Sequence, residues 1–302
     1  MAEVELAVVV VSYNTCDLLR GCLRSVYAQR APSLQVWVVD NASADGSPDM
    51  VRREFPEAHL LAQPRNLGFA AGNNVALRAM GFGAPMPKTD QPSPACVLFL
   101  NPDTELTEDA LMRMVGFLRN EPRVGVVGPS LTYPDGSFQH SAFAFPNLWQ
   151  IWFDFFAWPG RLVESRFNGR YPRAVYQAGI PFAIDHPLGA AMLTRAEVIR
   201  QVGLMDEDFF MYAEEIDWCI RVKRQGWQVY CVPAARIVHY SGGSTQQRRS
   251  AMREALWQSR FRLFRKHYSP AFNLAAHLLV AVGQRVEARR ARALPPVERV
   301  LQ

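Results

Sequence analysis

The sequence lacks both common devices by which a parallel α/β sheet holds a nucleotide. No G-x-G-x-x-G turn follows the first strand-like run, and no G-x-x-x-x-G-K-[ST] loop occurs. The turn that does follow Leu6–Val11 reads "SYNT", residues 12–15, with no glycine. There is also no C-x-x-C pair. The five cysteines, at 16, 22, 96, 219 and 231, are odd in number, and Cys16, Cys22 and Cys219 sit in helix-like patterns. Core filler in a reducing compartment is expected, not a disulfide framework. No run of about 18 apolar residues exists, so no spanning helix is expected. The opening "MAEVELAVVVVSYN" carries neither a basic leader nor a small-residue cleavage site, so a cytoplasmic protein is expected. Internal repeats are absent.

What is present is enough for one large α/β domain or two small ones. The chain has 302 residues, and 49% of them are apolar, which rules out a disordered composition. The net charge of +5 is modest but uneven. Residues 285–292, "RVEARRAR", set four arginines against one glutamate. A basic end suits phospholipid or diphosphate headgroups, or simply solvent; no nucleic-acid partner is expected.

The first hundred residues alternate strand and helix. Leu6–Val11 is a continuous β-branched run, as in a strand buried on both faces. Asp17–Ala28 has a helical period, Val36–Val39 is a second strand, and Ala44–Phe55 a second helix. His59–Ala62 and Val97–Leu100 read as strands, Gly72–Met80 and Glu108–Leu118 as helices. This order predicts a mostly parallel twisted sheet with helices on both faces, and ligands beyond the carboxyl ends of its strands. Residues 81–95, with four prolines, read as an exposed loop. From Phe143 to Trp158 half the positions are Phe or Trp, which suits a helix packed on the core or a greasy acceptor surface. A strand at 189–194, a helix from Arg195, a strand at Val229–Val232 and a basic helical end complete the expectation.

Four features could carry chemistry. "VWVVDNAS" ends a strand at Asp40, where a carboxylate can accept hydrogen bonds from a base imide or a ribose hydroxyl. "NLGFAAGNN" (66–74) offers Gly68 and Gly72 for close backbone approach and the amides of Asn66, Asn73 and Asn74. "LFLNPDTEL" (98–106) ends a strand at Asn101 and Asp103, suited to a hard cation with phosphate oxygens. "YAEEIDWCIR" (212–221) gathers Glu214, Glu215 and Asp217, and His239 follows in "IVHYSGGST". Each has a bland alternative: a turn former, a helix cap, or acids favoured at a helix start.

Taken in order, "VVVVSYNT", "VVDNASADGS", "NLGFAAGNN", "NPDTEL" and "FFMYAEEIDWCIR" resemble family 2 glycosyltransferases of the rhamnosyltransferase-like branch, over roughly residues 5–245. The resemblance implies a GT-A fold, a nucleoside-diphosphate-sugar donor, Mg2+ or Mn2+, and inversion at the anomeric carbon. By the family pattern Asp40 holds the base, with Ser12, Asn14, Asn66, Gly68, Asn73, Asn74 and Asn101 along the nucleotide sugar. Asp103 and His239 are the implied metal contacts, and Glu215 falls where the catalytic base sits. Two departures stand out: Asn101 replaces the first acid of the D-x-D-type motif, and Glu215 stands where aspartate is usual. The branch suggests dTDP-rhamnose as donor, while UDP-hexoses or GDP-sugars fit the same motifs; the acceptor would be a saccharide or a polyprenyl-linked saccharide. The expected division is a domain over 1–245, with a nucleotide-sugar half (1–130) and an acceptor half (131–245), then a basic helical extension (246–302). Its stretch Ala271–Arg292 is expected either to touch the anionic inner face of the membrane or to pack on the domain. Rival readings are a non-catalytic nucleotide-sugar-binding protein and a sugar nucleotidyltransferase; the latter would want a glycine-rich, basic first loop.

Overall fold

The computed structural model describes residues 6–29, 33–83, 94–107, 109–156, 159–241 and 249–293. The expected alternation opens the chain: β1 (Leu6–Ser12), α1 (Cys16–Tyr27), β2 (Leu34–Asp40), α2 (Ser47–Glu54), β3 (His59–Ala62), α3 (Phe69–Ala79) and β4 (Cys96–Leu100). Next come β5 (Thr104–Leu106), α4 (Ala110–Asn120), β6 (Val124–Thr132), β7 (Phe138–Gln139), β8 (Ala142–Phe143) and α5 (Leu148–Phe155). The short helices α6 (Gly160–Val163) and α7 (Arg173–Gln177) lead to β9 (Phe182–Ala183), β10 (His186–Pro187), β11 (Ala191–Arg195) and α8 (Ala196–Val202). The chain ends with α9 (Glu214–Arg224), β12 (Gln228–His239), α10 (Arg249–His267) and α11 (Pro270–Ala293).

The main sheet runs β3-β2-β1-β4-β11-β6-β12-β5. Strands β3, β2, β1 and β4 are parallel, as the alternation requires. Beyond β4 the sheet is mixed: β11 is antiparallel to both β4 and β6, and β6 pairs with β12 in parallel. All seven residues of β1 are buried, and its side chains divide between two apolar layers. Leu6, Val8 and Val10 join α1, α2 and α4 on one face; Ala7, Val9 and Val11 join α3, α8 and α9 on the other.

Strand β6 was not expected, because Gly125, Gly128 and Pro129 interrupt its apolar run. The glycines serve packing. A Cβ on Gly128 would lie 2.4 Å from the Cβ of Pro187, and one on Gly125 would lie 2.7 Å from Val198. The aromatic segment forms α5, which buries Ile151 and Phe155 against α11 and leaves Trp149 exposed. Of the proline-rich stretch 81–95, only 81–83 and 94–95 lie among the described residues. The glycine-rich residues after Ser241 and the proposed boundary at 245 lie outside them.

Helix α11 packs on the domain through Ala276, Val280 and Gly283; a Cβ on Gly283 would lie 2.2 Å from the Phe155 ring. Its other side exposes Leu274, Leu278 and Val282. Among the described residues, no helix is long and apolar enough to cross a membrane.

Candidate active site

The carboxyl ends of β1, β2 and β4 lie at one edge of the sheet, and the chemistry-bearing residues gather there. Ser12 and Asp40 are paired across β1 and β2. The loops after these two strands are stapled together: the Asn14 N–H donates to Ser43 Oγ (2.9 Å), Asn14 Oδ1 accepts from the Ala44 N–H (2.8 Å), and the Cys16 N–H donates to Asp45 (2.8 Å). Asp40 is only 2% exposed. One of its oxygens accepts from the Ser43 N–H at 2.9 Å, whereas Oδ1 is buried with no protein partner. A buried acceptor without a donor is costly, so an arriving N–H or O–H is favoured there.

The 66–74 segment performs two jobs. Asn66 Oδ1 accepts from the Gly68 N–H, and Asn41 Nδ2 donates to the Gly68 carbonyl. Gly68 has φ +82°, and a Cβ there would lie 2.2 Å from the Phe210 carbonyl oxygen, so only glycine fits. The Phe69 N–H donates to that same carbonyl at 2.8 Å. Asn74 is fully buried: its Nδ2 donates to the Met205 carbonyl and to Glu207, and its Oδ1 accepts from the Met205 N–H. Arg78 pairs with Glu207 on the same loop. The segment expected to line the nucleotide therefore also grips the 205–210 loop, which leads into the acidic helix.

Two of the expected donor contacts have partners within the protein. Ser12 is fully buried with its hydroxyl 2.9 Å from that of Thr15, and the amide of Asn74 is bonded to the 205–207 loop. Asn73 is also buried, donating to the Phe69 carbonyl with its Oδ1 unpartnered. Asn14, Asn66 and Asn101 remain at or near the surface.

Asp103 and His239 come together although 136 positions separate them in sequence. Strand β5 pairs antiparallel with β12, setting His239 opposite Thr104, and the Tyr240 N–H donates to the Asp103 carbonyl. His239 Nε2 lies 3.4 Å from Asp103 Oδ1. Its Nδ1 lies 3.1 Å from Gln139 Oε1, while Gln139 Nε2 donates to Ser241 Oγ. Gln139 and Ser241, whose Oγ lies 3.3 Å from Nδ1, hold the ring from one side, so that Nε2 faces Asp103 on the other. Two ligands about 2.1 Å from a shared octahedral cation stand roughly 3 Å apart, close to the observed separation. Among the described residues no group of three or more His, Cys, Asp and Glu could hold a metal alone. The pair fits a cation only with further oxygen ligands from elsewhere. Gln139 was not foreseen; a lone glutamine 100 positions from its partner gives no sequence signal.

Helix α9 starts at Glu214, after two residues in left-handed conformation, Tyr212 (φ +70°) and Ala213 (φ +66°). Neither is glycine, and such residues cost about 1–3 kcal/mol each, a strain typical of functional turns. The three acids then separate by environment. Asp217 is fully buried and paired with Arg221, Lys266 and His267. Burial pushes it up, but the hydrogen bonds from Lys266 and His267 and the field of Arg221 outweigh this and hold it below the usual carboxylate range. Glu214 is 5% exposed, with one oxygen unpartnered; burial, then the charge of Glu215, raises it well above the usual range. A helix-start role for Glu214 does not account for this burial. Glu215 is half-buried at the sheet edge, where a Cβ on Gly189 would lie 3.6 Å from its carboxyl carbon. Burial raises Glu215 to about 7, against the helix's own first N–H groups. A carboxyl group poised there can exchange a proton near neutral pH.

The chain is similar to known glycosyltransferases. The family model described as "Glycosyl transferase family 2" matches residues 7–189. The N-acetylglucosaminyl-diphospho-decaprenol L-rhamnosyltransferase of Mycobacterium tuberculosis is 29% identical over 248 residues, 80% of this chain and 77% of that protein. A dTDP-rhamnosyl transferase of Shigella flexneri is 22% identical over 236 residues, 78% of this chain and 68% of that protein. Among solved structures, a mannosyltransferase from Pyrobaculum calidifontis in complex with GDP-mannose and Mn2+ superimposes with a TM-score of 0.59 at 21% identity, covering 100% of this chain and 79% of that one. That likeness carries the fold, a GT-A sheet flanked by helices. With the family matched over more than half its length, and with rhamnosyltransferases among its relatives, the chain belongs to glycosyl transferase family 2, in its rhamnosyltransferase-like branch.

Proposed function

We propose that this glycosyltransferase moves rhamnose from dTDP-rhamnose to a saccharide acceptor carried on a polyprenyl diphosphate, with inversion at the anomeric carbon. Donor and acceptor rest on the relatives, two of which are named for rhamnosyl transfer, one of them to a decaprenol-linked sugar. The observation that carries the chemistry is Glu215: a half-buried carboxyl group raised to about 7, packed beside Gly189, whose neighbour Ala190 accepts the N–H of Asn101 at the end of β4.

An inverting transfer is one in-line displacement. Glu215 takes the proton of the acceptor hydroxyl as that oxygen attacks, so one base suffices and no covalent intermediate forms. Asp40 Oδ1 accepts from the base or ribose, and the 66–68 loop borders the nucleotide. Asp103 and His239 Nε2 would hold Mg2+ or Mn2+ together with the donor diphosphate, and a cation there would supply positive charge to the leaving group. The alternative, a non-catalytic binder of the same fold, leaves the raised Glu215 and the oriented His239 without a role. Thermal shift with dTDP-rhamnose, UDP-glucose and GDP-mannose, each with and without Mn2+, tests the donor assignment. The largest rise is expected for dTDP-rhamnose with Mn2+; a larger rise with either other donor would overturn it.

A further inference from the structure

The catalytic carboxylate sits on a helix that something must hold in rotation. Glu215 and Asp217 are two residues apart on α9, so their side chains leave the axis about 200° apart. With Glu215 at the sheet edge, Asp217 points the other way, into α10. There Lys266 Nζ and His267 Nε2 each lie 2.7 Å from Asp217 Oδ1, and Arg221 Nε lies 2.9 Å from Oδ2. Arg221 also donates to the carbonyls of Val202 and Leu204, tying α9 to the loop before it.

The same face of α10 reaches the strained turn. Ser259, Arg262, Lys266 and His267 recur at helical spacing and all contact the 206–217 segment. Ser259 Oγ donates to the Met211 carbonyl at 2.7 Å, just before the left-handed pair Tyr212–Ala213. Arg262 pairs with Asp208, and Lys266 also reaches Asp206 at 2.7 Å. Beneath these contacts Trp257, Leu263 and Phe264 pack with Phe209, Ala213 and Ile220. His267 is 3% exposed, and its Nδ1 is buried without a partner. A bare lone pair there matches a neutral ring that donates from Nε2; a protonated ring would bury an unpaired N–H. Burial likewise lowers His267 from the usual imidazole range.

We propose that α10 is a working part of the active site: His267, Lys266 and Ser259 are positioning residues that clamp the 211–213 turn and, through Asp217, set the rotation of α9 that aims Glu215. This deepens the reading of Glu215 as base and rests on it.

The test is steady-state kinetics with dTDP-rhamnose on His267→Phe, which keeps a ring but removes the donor, and on His267→Gln, which restores an N–H of similar reach. Each is made in the wild-type and Glu215→Gln backgrounds. In the wild-type background His267→Phe is expected to lower kcat about tenfold, with the donor KM within about twofold, and His267→Gln to recover most of the loss. In the Glu215→Gln background His267→Phe should cost less than about twofold, since no base remains to be aimed. An unchanged kcat in His267→Phe overturns the clamp. So does an equal loss in both backgrounds, or a Gln variant as impaired as Phe. If Glu215→Gln alone turns over at the wild-type rate, the base assignment fails, whatever His267 does. Ser259→Ala carries the same comparison should His267→Phe not fold.

Discussion

Replacing Glu215 with glutamine should make the enzyme slower and, above neutral pH, more stable. The two effects share one cause. A carboxyl group raised from 4.5 to about 7 in the folded state costs that state about 3 kcal/mol once ionised. The sign follows from proton counting: between those values the folded state binds more protons than the unfolded one, so stability falls as pH rises through the window. At pH 5 Glu215 is protonated in the folded protein and the cost is mostly absent; at pH 8 it is mostly present. Glutamine preserves size and hydrogen bonding and cannot ionise. The stability gained by Glu215→Gln should therefore be about 2–3 kcal/mol larger at pH 8 than at pH 5. For a chain of this size that is roughly 5 °C in Tm. Turnover should drop by about 10²-fold or more, with nucleoside-diphosphate affinity retained. The assays are thermal unfolding at the two pH values and initial rates at pH 8. A Tm difference that does not change with pH would refute the raised carboxyl group. Near wild-type turnover, with Asp217→Asn inactive, would refute the choice of carboxylate.

Asp40→Ala should weaken nucleoside-diphosphate binding by about tenfold or more in calorimetry, with metal affinity nearly unchanged, because it removes the buried Oδ1 that awaits a donor. EDTA should abolish transfer and Mn2+ restore it. Gln139→Leu, which removes the 3.1 Å contact that orients His239, should raise the Mn2+ concentration needed for half-maximal rate by about 10-fold or more.

The nucleotide-side fold was legible because periodicity reports burial. Leu6–Val11 reads as a doubly buried strand and is one, and Asp17–Ala28 reads as the helix over Cys16–Tyr27. Strand β6 was not legible: Gly125 and Gly128 are dictated by contacts with Val198, Trp227 and Pro187, which no local pattern contains. The site divides similarly. Asp40, Asp103, Glu215 and His239 stood out as chemistry-bearing types at element ends. Their supports did not, because Gln139 meets His239, and Lys266 and His267 meet Asp217, through tertiary packing alone. Asn74 shows the same limit from the other side: it lies in the 66–74 segment, and its bonds to the 205–207 loop span more than 130 positions that no local pattern contains.

Whether rhamnosyl transfer inverts the anomeric centre is read from the stereochemistry of the product. The protein is incubated with dTDP-rhamnose, Mn2+ and an N-acetylglucosaminyl-diphospho-prenol acceptor, and the new glycosidic linkage is read by proton NMR. The expected product is a rhamnosylated lipid whose anomeric configuration is opposite to that of the donor, formed by wild type and about 10²-fold more slowly by Glu215→Gln. A product that retains the donor configuration would contradict the single-displacement account, and the absence of any rhamnosylated product would contradict the substrate assignment.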